Sequence, residues 1–158
     1  MTSMISGADL RSIGLGTRVV GKLATLSGAA VEQVFTVTGG EVLITALWGV
    51  CTVEMAGANT VNLQLDPTTG DTTVVVTATD LGTTNTAAGT TIGVRDFGVA
   101  DASAVPQSFV KGGYALRNLV ATTGEIEADV TGAGADGAIQ FYCTYVPLTT
   151  GASVTASA

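Results

Sequence analysis

The chain of 158 residues contains no histidine. That removes the commonest general base and metal ligand, and with them every Ser–His and Cys–His catalytic pair. Charge is scarce as well. Only 12% of residues are Asp, Glu, Lys or Arg, and just six of those are basic, against a globular average of about 25% charged. With a net charge of −7, the chain repels nucleic acid, whose binding needs clustered Lys and Arg to displace counterions. Aromatics make up 5%, with a single Trp, a poor supply for a sugar-stacking platform. Cys51 and Cys143 stand far apart with no CxxC or zinc-type spacing. They read as small buried hydrophobes in a chain made in a reducing cytoplasm; a disulfide requires their strands to meet closely. No apolar run reaches the ~18 residues of a spanning helix, since the longest, residues 41–55, is broken by Thr45, Gly49, Thr52 and Glu54. The N-terminus lacks the basic and apolar regions of a secretory signal. Neither membrane nor cofactor is expected as a partner.

What remains is β-forming. About one residue in six is Thr and 46% are hydrophobic, and Val, Ile and Thr suit a pleated, half-buried surface. The length fits one domain with appendages. A mean hydropathy of +0.48 implies that the apolar surplus is buried in a core or against partner chains.

Turn signals divide the chain into about eight strands. Residues 31–38 end at Gly39-Gly40, a two-residue hairpin signal. Residues 41–55 follow, apolar on both faces, so this strand is expected to be central. By period 2, Val42, Ile44, Ala46, Trp48 and Val50 share one face, and Leu43, Leu47, Cys51, Val53 and Met55 the other, with Gly49 a bulge or bend. Leu43, Leu47, Val53 and Met55 are the candidate subunit-interface residues of this strand. Residues 60–65 alternate cleanly, and 66–71 (DPTTGD) form a turn. Further strands are expected over 72–79, 90–97, 114–121, 124–131 and 138–148, with an irregular excursion over 98–113 and a flexible tail over 150–158. No convincing helix is seen. The fold class is therefore all-β, an antiparallel β-sandwich of jelly-roll or Greek-key type, with a body over residues 31–149.

Residues 1–30 differ from that body. They carry a net +2, from Arg11, Arg18 and Lys22 against Asp9, while residues 31–158 carry −9. Glycines at 7, 14, 16, 21 and 28 argue against a long helix, although residues 18–26 (RVVGKLATL) suit a strand. This segment reads as an extended N-terminal arm. It lies across a neighbouring subunit, with Leu10, Ile13 and Leu15 as apolar anchors and Arg11, Arg18 and Lys22 against acidic surface. Deleting residues 1–26 is then expected to leave the body folded.

An enzyme would have to rely on carboxylate pairs. Glu125, Glu127 and Asp129 are the densest acids. On a strand they stand about 7 Å apart along one face, too wide for one calcium ion without a loop, and they read as a solvated acidic edge that discourages edge-to-edge pairing. Asp66 and Asp71 read as turn chemistry. Trp48, Phe141, Tyr142 and Tyr145 read as core packing, with Tyr142 the outward member because it opposes Phe141 by strand parity. Neither a catalytic nor a metal site is assigned.

The run Val34-Phe35-Thr36-Val37-Thr38-Gly39-Gly40-Glu41-Val42-Leu43-Ile44, the strand over 59–66 with its Pro67-Thr68-Thr69-Gly70 turn, and the closing Tyr145-Val146-Pro147-Leu148 and Gly151-Ala152 resemble a group of small tailed-bacteriophage virion structural proteins. The resemblance covers residues 31–155 and leaves the arm out. It implies a β-sandwich attached to the outer capsid surface as a capsid decoration (cement) protein, binding the major capsid protein lattice as a homotrimer and gripping the shell with terminal arms. The alternative is a head-fibre or tail-tip receptor-binding domain that recognises a host glycan through an exposed aromatic.

Overall fold

The computed structural model describes residues 7–94, 107–132 and 134–158. The described residues are all-β, with eleven strands and one short helix. Helix α1 (Gly7–Leu15) leads into β1 (Thr17–Ser27), β2 (Ala30–Thr38), β3 (Val42–Val53), β4 (Asn59–Pro67) and β5 (Thr73–Asp80). Then come β6 (Thr91–Val94), β7 (Gln107–Lys111), β8 (Leu119–Ala121), β9 (Gly124–Gly132), β10 (Ala135–Pro147) and β11 (Ser153–Ala156). Residues 95–97 of the strand expected over 90–97, residues 98–106 of the excursion, and residues 1–6 of the arm lie outside the described residues.

The strands form one mixed sheet in the order β1-β10-β3-β6-β7-β5-β4-β9-β2-β11, with β8 paired to β3. The expectation of two separate antiparallel sheets is corrected here. β7 runs antiparallel to β6 and parallel to β5, so it carries the pairing from one half of the molecule to the other. The result is a nearly closed, barrel-like sheet. The first half holds β1, β10, β3, β6 and β8; the second holds β11, β2, β9, β4 and β5. Chain neighbours mostly occupy opposite halves. The β4–β5 turn is a true hairpin, but Gly39-Gly40 is not. β2 pairs with β9 and β11 while β3 pairs with β10, β6 and β8, so these glycines turn a corner between the two walls.

The barrel closes where β1 meets β2. Gly21 leaves no room for a side chain: a Cβ there would lie 2.6 Å from Val34 Cγ1 and 2.8 Å from the Phe35 ring. Lys22 Nζ donates to the carbonyl of Ala158 at 2.7 Å, tying β1 to the C-terminus.

Two further expectations are corrected by this closure. Residues 17–27 are not an arm but a strand paired along β10 from Thr17↔Tyr145 to Ser27↔Ala135, with Ala24 and Leu26 in the core. The segment before it is helical rather than extended. Its helix ends at Gly16, whose φ of +86° and packing 2.3 Å (as a Cβ would have it) from the Tyr145 carbonyl admit only glycine. The supposed flexible tail is also ordered. Residues 153–156 pair with β2, and Ala152, Val154 and Ser157 are buried.

Register shifts decide the faces of β3. Thr144 pairs with Ala46 but Tyr145 with Ile44, so Thr45 is an extra residue, a β-bulge. Strict alternation across it fails. Val42 and Ile44 join Leu47, Gly49 and Cys51 inside, while Leu43 joins Ala46, Trp48 and Val50 outside. A second shift at Thr52 follows, and Gly49 is neither bulge nor bend but the place where the Phe141 ring and Ile139 pack close. The core is built from inward residues of both halves, among them Leu47, Ile139, Phe141 and Cys143 from the first and Phe35, Leu63, Ile126 and Val130 from the second. Each large apolar side chain buried this way contributes about 1.5–3 kcal/mol.

Candidate functional site

With the interior filled, the outer faces of the two halves carry what chemistry the fold presents. On the first half, cross-strand register lays out four rungs. Val120, Leu43 and Val146 span β8, β3 and β10; Arg18, Thr144 and Ala46 span β1, β10 and β3; below them come Val20, Tyr142 and Trp48, then Leu23, Gln140 and Val50. Val20, Leu23, Val120 and Val146 are all exposed. Trp48 and Tyr142 stack with ring centroids 5.6 Å apart and planes 16° from parallel. The Arg18 guanidinium lies 4.9 Å from the Tyr142 ring centroid, a cation–π contact. β1 and β3 flank β10 on either side, so the phenol is sandwiched between guanidinium and indole.

On the second half, the same construction yields polar rungs. Asn62 Nδ2 donates to Asp129 Oδ2 at 3.0 Å, and Gln64 Nε2 to Glu127 Oε2 at 2.9 Å. Thr60 and Thr131 share a short hydroxyl–hydroxyl bond. Glu125 faces Asp66 across the strands, a like-charge pair that would repel. Each acid turns away to its own hydroxyls: Glu125 accepts from Thr36 and Ser157, both at 3.0 Å, and Asp66 from Thr72 at 2.7 Å. These acids are not a solvated edge, as the sequence alone implied. β9 lies between β2 and β4, and Glu127 is only 6% exposed. Its desolvation is offset by a charge-assisted hydrogen bond.

One end of the barrel is closed by carboxylate-capped turns. Asp136 accepts from Ala56 N, Gly57 N and Asn59 Nδ2, and Asp80 accepts from the Thr83 hydroxyl, Thr83 N and Gly82 N. These donors favour the charged form. The Ala56 and Gly57 amides hold Asp136, and the Thr83 hydroxyl and amide hold Asp80, below the usual carboxylate range. This is turn architecture, and the amides are consumed by it.

The sequence-derived candidates separate in space. Leu10, Ile13 and Leu15 are 60%, 72% and 60% exposed on α1, and Arg11 is exposed beside them. Arg18 belongs to the aromatic row, and Lys22 is the strut to the C-terminus. The interface set on β3 is divided by the Thr45 bulge: Leu47 and Met55 lie in the core, Leu43 is half-buried outside, and Val53 is exposed. Leu47 and Met55 therefore present no side-chain surface in the single chain. Phe141 and Tyr145 are core residues, and Tyr142 does face outward opposite Phe141. Trp48, read as core, stands on the outer face, because the bulge turns it there. Cys51 and Cys143 are both free and buried. Burial raises both thiols, Cys143 to about 12, so neither is a nucleophile at neutral pH.

The amide–carboxylate ladder was also missed. Its signal is the alternation Asn62, Gln64 running antiparallel to Glu127, Asp129, donors against acceptors at the same period.

A cleft of about 90 Å³ lies between the halves, lined by Leu65, Pro67, Asp71, Thr73, Val120 and Glu125 among others. It is well below the 300–1,000 Å³ of small-molecule sites. Among the described residues, no three metal-capable side chains converge, and no helix is long and apolar enough to cross a membrane. No protein-family model, curated protein or solved structure matches the chain.

Proposed function

We propose that the chain is a non-enzymatic virion structural protein of a tailed phage. It decorates the outer capsid surface and stabilises the shell by binding the major capsid protein lattice as a homotrimer, after synthesis in the host cytoplasm. The observation that carries the reading is the outer face of the first half. Four rungs of apolar, aromatic and cationic side chains lie on this barrel wall, a surface suited to contact with a partner. Of the docking residues read from the sequence, Arg18 sits on this face. The passage of successive strands between the two walls supports a Greek-key, jelly-roll type of connectivity. The experiment is quantitative mass spectrometry of purified particles. A copy number comparable to the major capsid protein is expected, and a number tens of times lower refutes lattice-wide decoration.

A second reading, glycan recognition by a head-fibre or tail-tip domain, is favoured by the outward Trp48–Tyr142 pair. Against it, both faces of the Tyr142 ring are occupied, by Arg18 and by Trp48. A sugar has no phenol face on which to stack. Saturable binding on a glycan array, lost in Trp48→Ala, would favour this reading.

A further inference from the structure

Two apolar surfaces of the chain are left uncovered, and they meet at Thr45. The first is helix α1. Among its described residues no side chain is buried, and Leu10, Ile13 and Leu15 are exposed. Thr45 Oγ1 donates to the Leu15 carbonyl at 2.6 Å and ties the C-terminal end of the helix to β3. Its nine residues fall short of the ~12–15 at which an isolated helix holds in water, so a surface beneath it would stabilise it. Asp9 and Arg11 cancel, which leaves the helix neutral. The second surface is the outer wall of the first half. Its four rungs hold no carboxylate and one cation, Arg18, which already lies on the Tyr142 ring. Val20, Leu23, Val120 and Val146 are exposed there.

We propose that α1 of one copy docks on the outer wall of the first half in a second copy, so that copies associate helix to wall; this rests on the reading of that wall as a contact surface. Chemistry selects the occupant. Whatever covers the wall displaces water from apolar and aromatic side chains, and it gains little from charge. The second half of another copy does not fit, since its outer face would set the β9 carboxylates against apolar groups and strip their water. Helix α1 is the neutral, apolar and uncovered surface that the chain does present. Its own wall is not the acceptor, because Leu10 and Ile13 remain exposed while the helix end is bonded to Thr45. Size agrees as well. From Gln140 to Val146 the wall runs about 20 Å at 3.3 Å per strand step, and the nine helical residues span about 13 Å at 1.5 Å each. Three neighbouring strands about 4.8 Å apart make a width of about 10 Å, the diameter of a helix with its side chains. The contact joins two different surfaces, so it is heterologous and closes into a ring when the rotation permits. One helix covers less than the ~800 Å² per partner of a standard interface. A single contact is therefore weak, and ring closure strengthens it by linking contacts.

The test is sedimentation velocity on the full chain over a concentration series. Dilute protein is expected to be monomeric and to associate as the concentration rises, at high salt as well as low, since salt screens charges and not apolar contacts. Leu10→Ser/Ile13→Ser on the helix and Val20→Glu on the wall, each checked for folding by circular dichroism, are expected to weaken association at least about tenfold. Mixed in equal amounts, the two variants regain a contact, because the intact helix of the wall variant meets the intact wall of the helix variant. If Val20→Glu loses its fold, Val146→Glu takes its place. A parent chain that stays monomeric throughout, a helix variant that associates like the parent, or a mixture that regains nothing overturns the proposal. Association is read on the isolated chain and the virion role on copy number in particles, so either can fail without the other.

Discussion

On the outer face of β9 the alternate residues Glu125, Glu127 and Asp129 are carboxylates held by amides and hydroxyls, whereas on β10 the outer positions are Gln140, Tyr142, Thr144 and Val146. Both strands sit deep within the sheet, each with a neighbour on either side, and both turn apolar residues inward. The difference lies in how an outward side chain is stabilised. The second half does so by hydrogen bonding across strands, which leaves a hydrated, negatively charged wall. The first half does so by stacking and apolar contact, which leaves surface that gains free energy when a partner removes it from water. One wall is finished in the single chain and the other is not.

The comparison can be broken most severely at β1, the strand that carries Arg18, Val20 and Leu23. Deleting residues 1–26 strips the partner from one edge of β10 and removes buried Ala24 and Leu26. It is expected to abolish cooperative unfolding, whereas deleting residues 1–15 leaves the melting temperature nearly unchanged; thermal unfolding followed by circular dichroism reads both. Next in size is the inside–outside contrast on β3. Leu47→Ala is expected to destabilise by about 2–5 kcal/mol and Leu43→Ala by well under half of that, as measured by urea denaturation. If both cost the same, the Thr45 bulge is misplaced.

The ladder comes third. Gln64→Leu leaves the nearly buried Glu127 without its amide, at a cost of about 1–3 kcal/mol, and the companion change Glu127→Gln in that background should recover part of the loss. The loss should appear as a lower urea midpoint; a neutral Gln64→Leu would mean that water serves the carboxylate equally well. The smallest effect is one of pH. Asp80 and Asp136 have folded-state values held below the ordinary 3.8, so their contribution is complete above that value and is lost as pH falls below it through the folded-state values. The acid limb of stability against pH should therefore be shallower in Asp136→Asn. An unchanged limb would show that the Ala56–Gly57 turn does not depend on the charge.

Much of this could be read from the residues, and the exceptions share a cause. Strand positions from β1 to β6, and those of β9 and β10, followed turn residues closely, because glycine and proline punctuate a β-rich chain locally; β7 did not, since it falls in the stretch read as an irregular excursion over 98–113, and β8 keeps only three residues of the strand expected over 114–121. The faces of β3 did not follow, because a bulge at Thr45 is set by its pairing with β10, about a hundred residues away. The Gly39-Gly40 pair announces a reversal but not which strand waits on the far side. Trp48 and the acids of β9 were misassigned for the same reason: parity tells which residues share a face, and only the neighbours tell which way the face looks.

By itself the sequence determined that this protein is all-β, that its two cysteines are buried hydrophobes without a metal spacing, that chemistry based on histidine is absent, and that positive charge gathers at the N-terminal end. Those follow from composition and short-range periodicity. The tertiary structure alone decided that the strands join in one nearly closed sheet, that residues 17–27 and 153–156 belong to it, and that one outer wall is a satisfied ladder while the other is an open apolar face. Each of these depends on which distant strands share hydrogen bonds, and no local preference along the chain encodes that pairing.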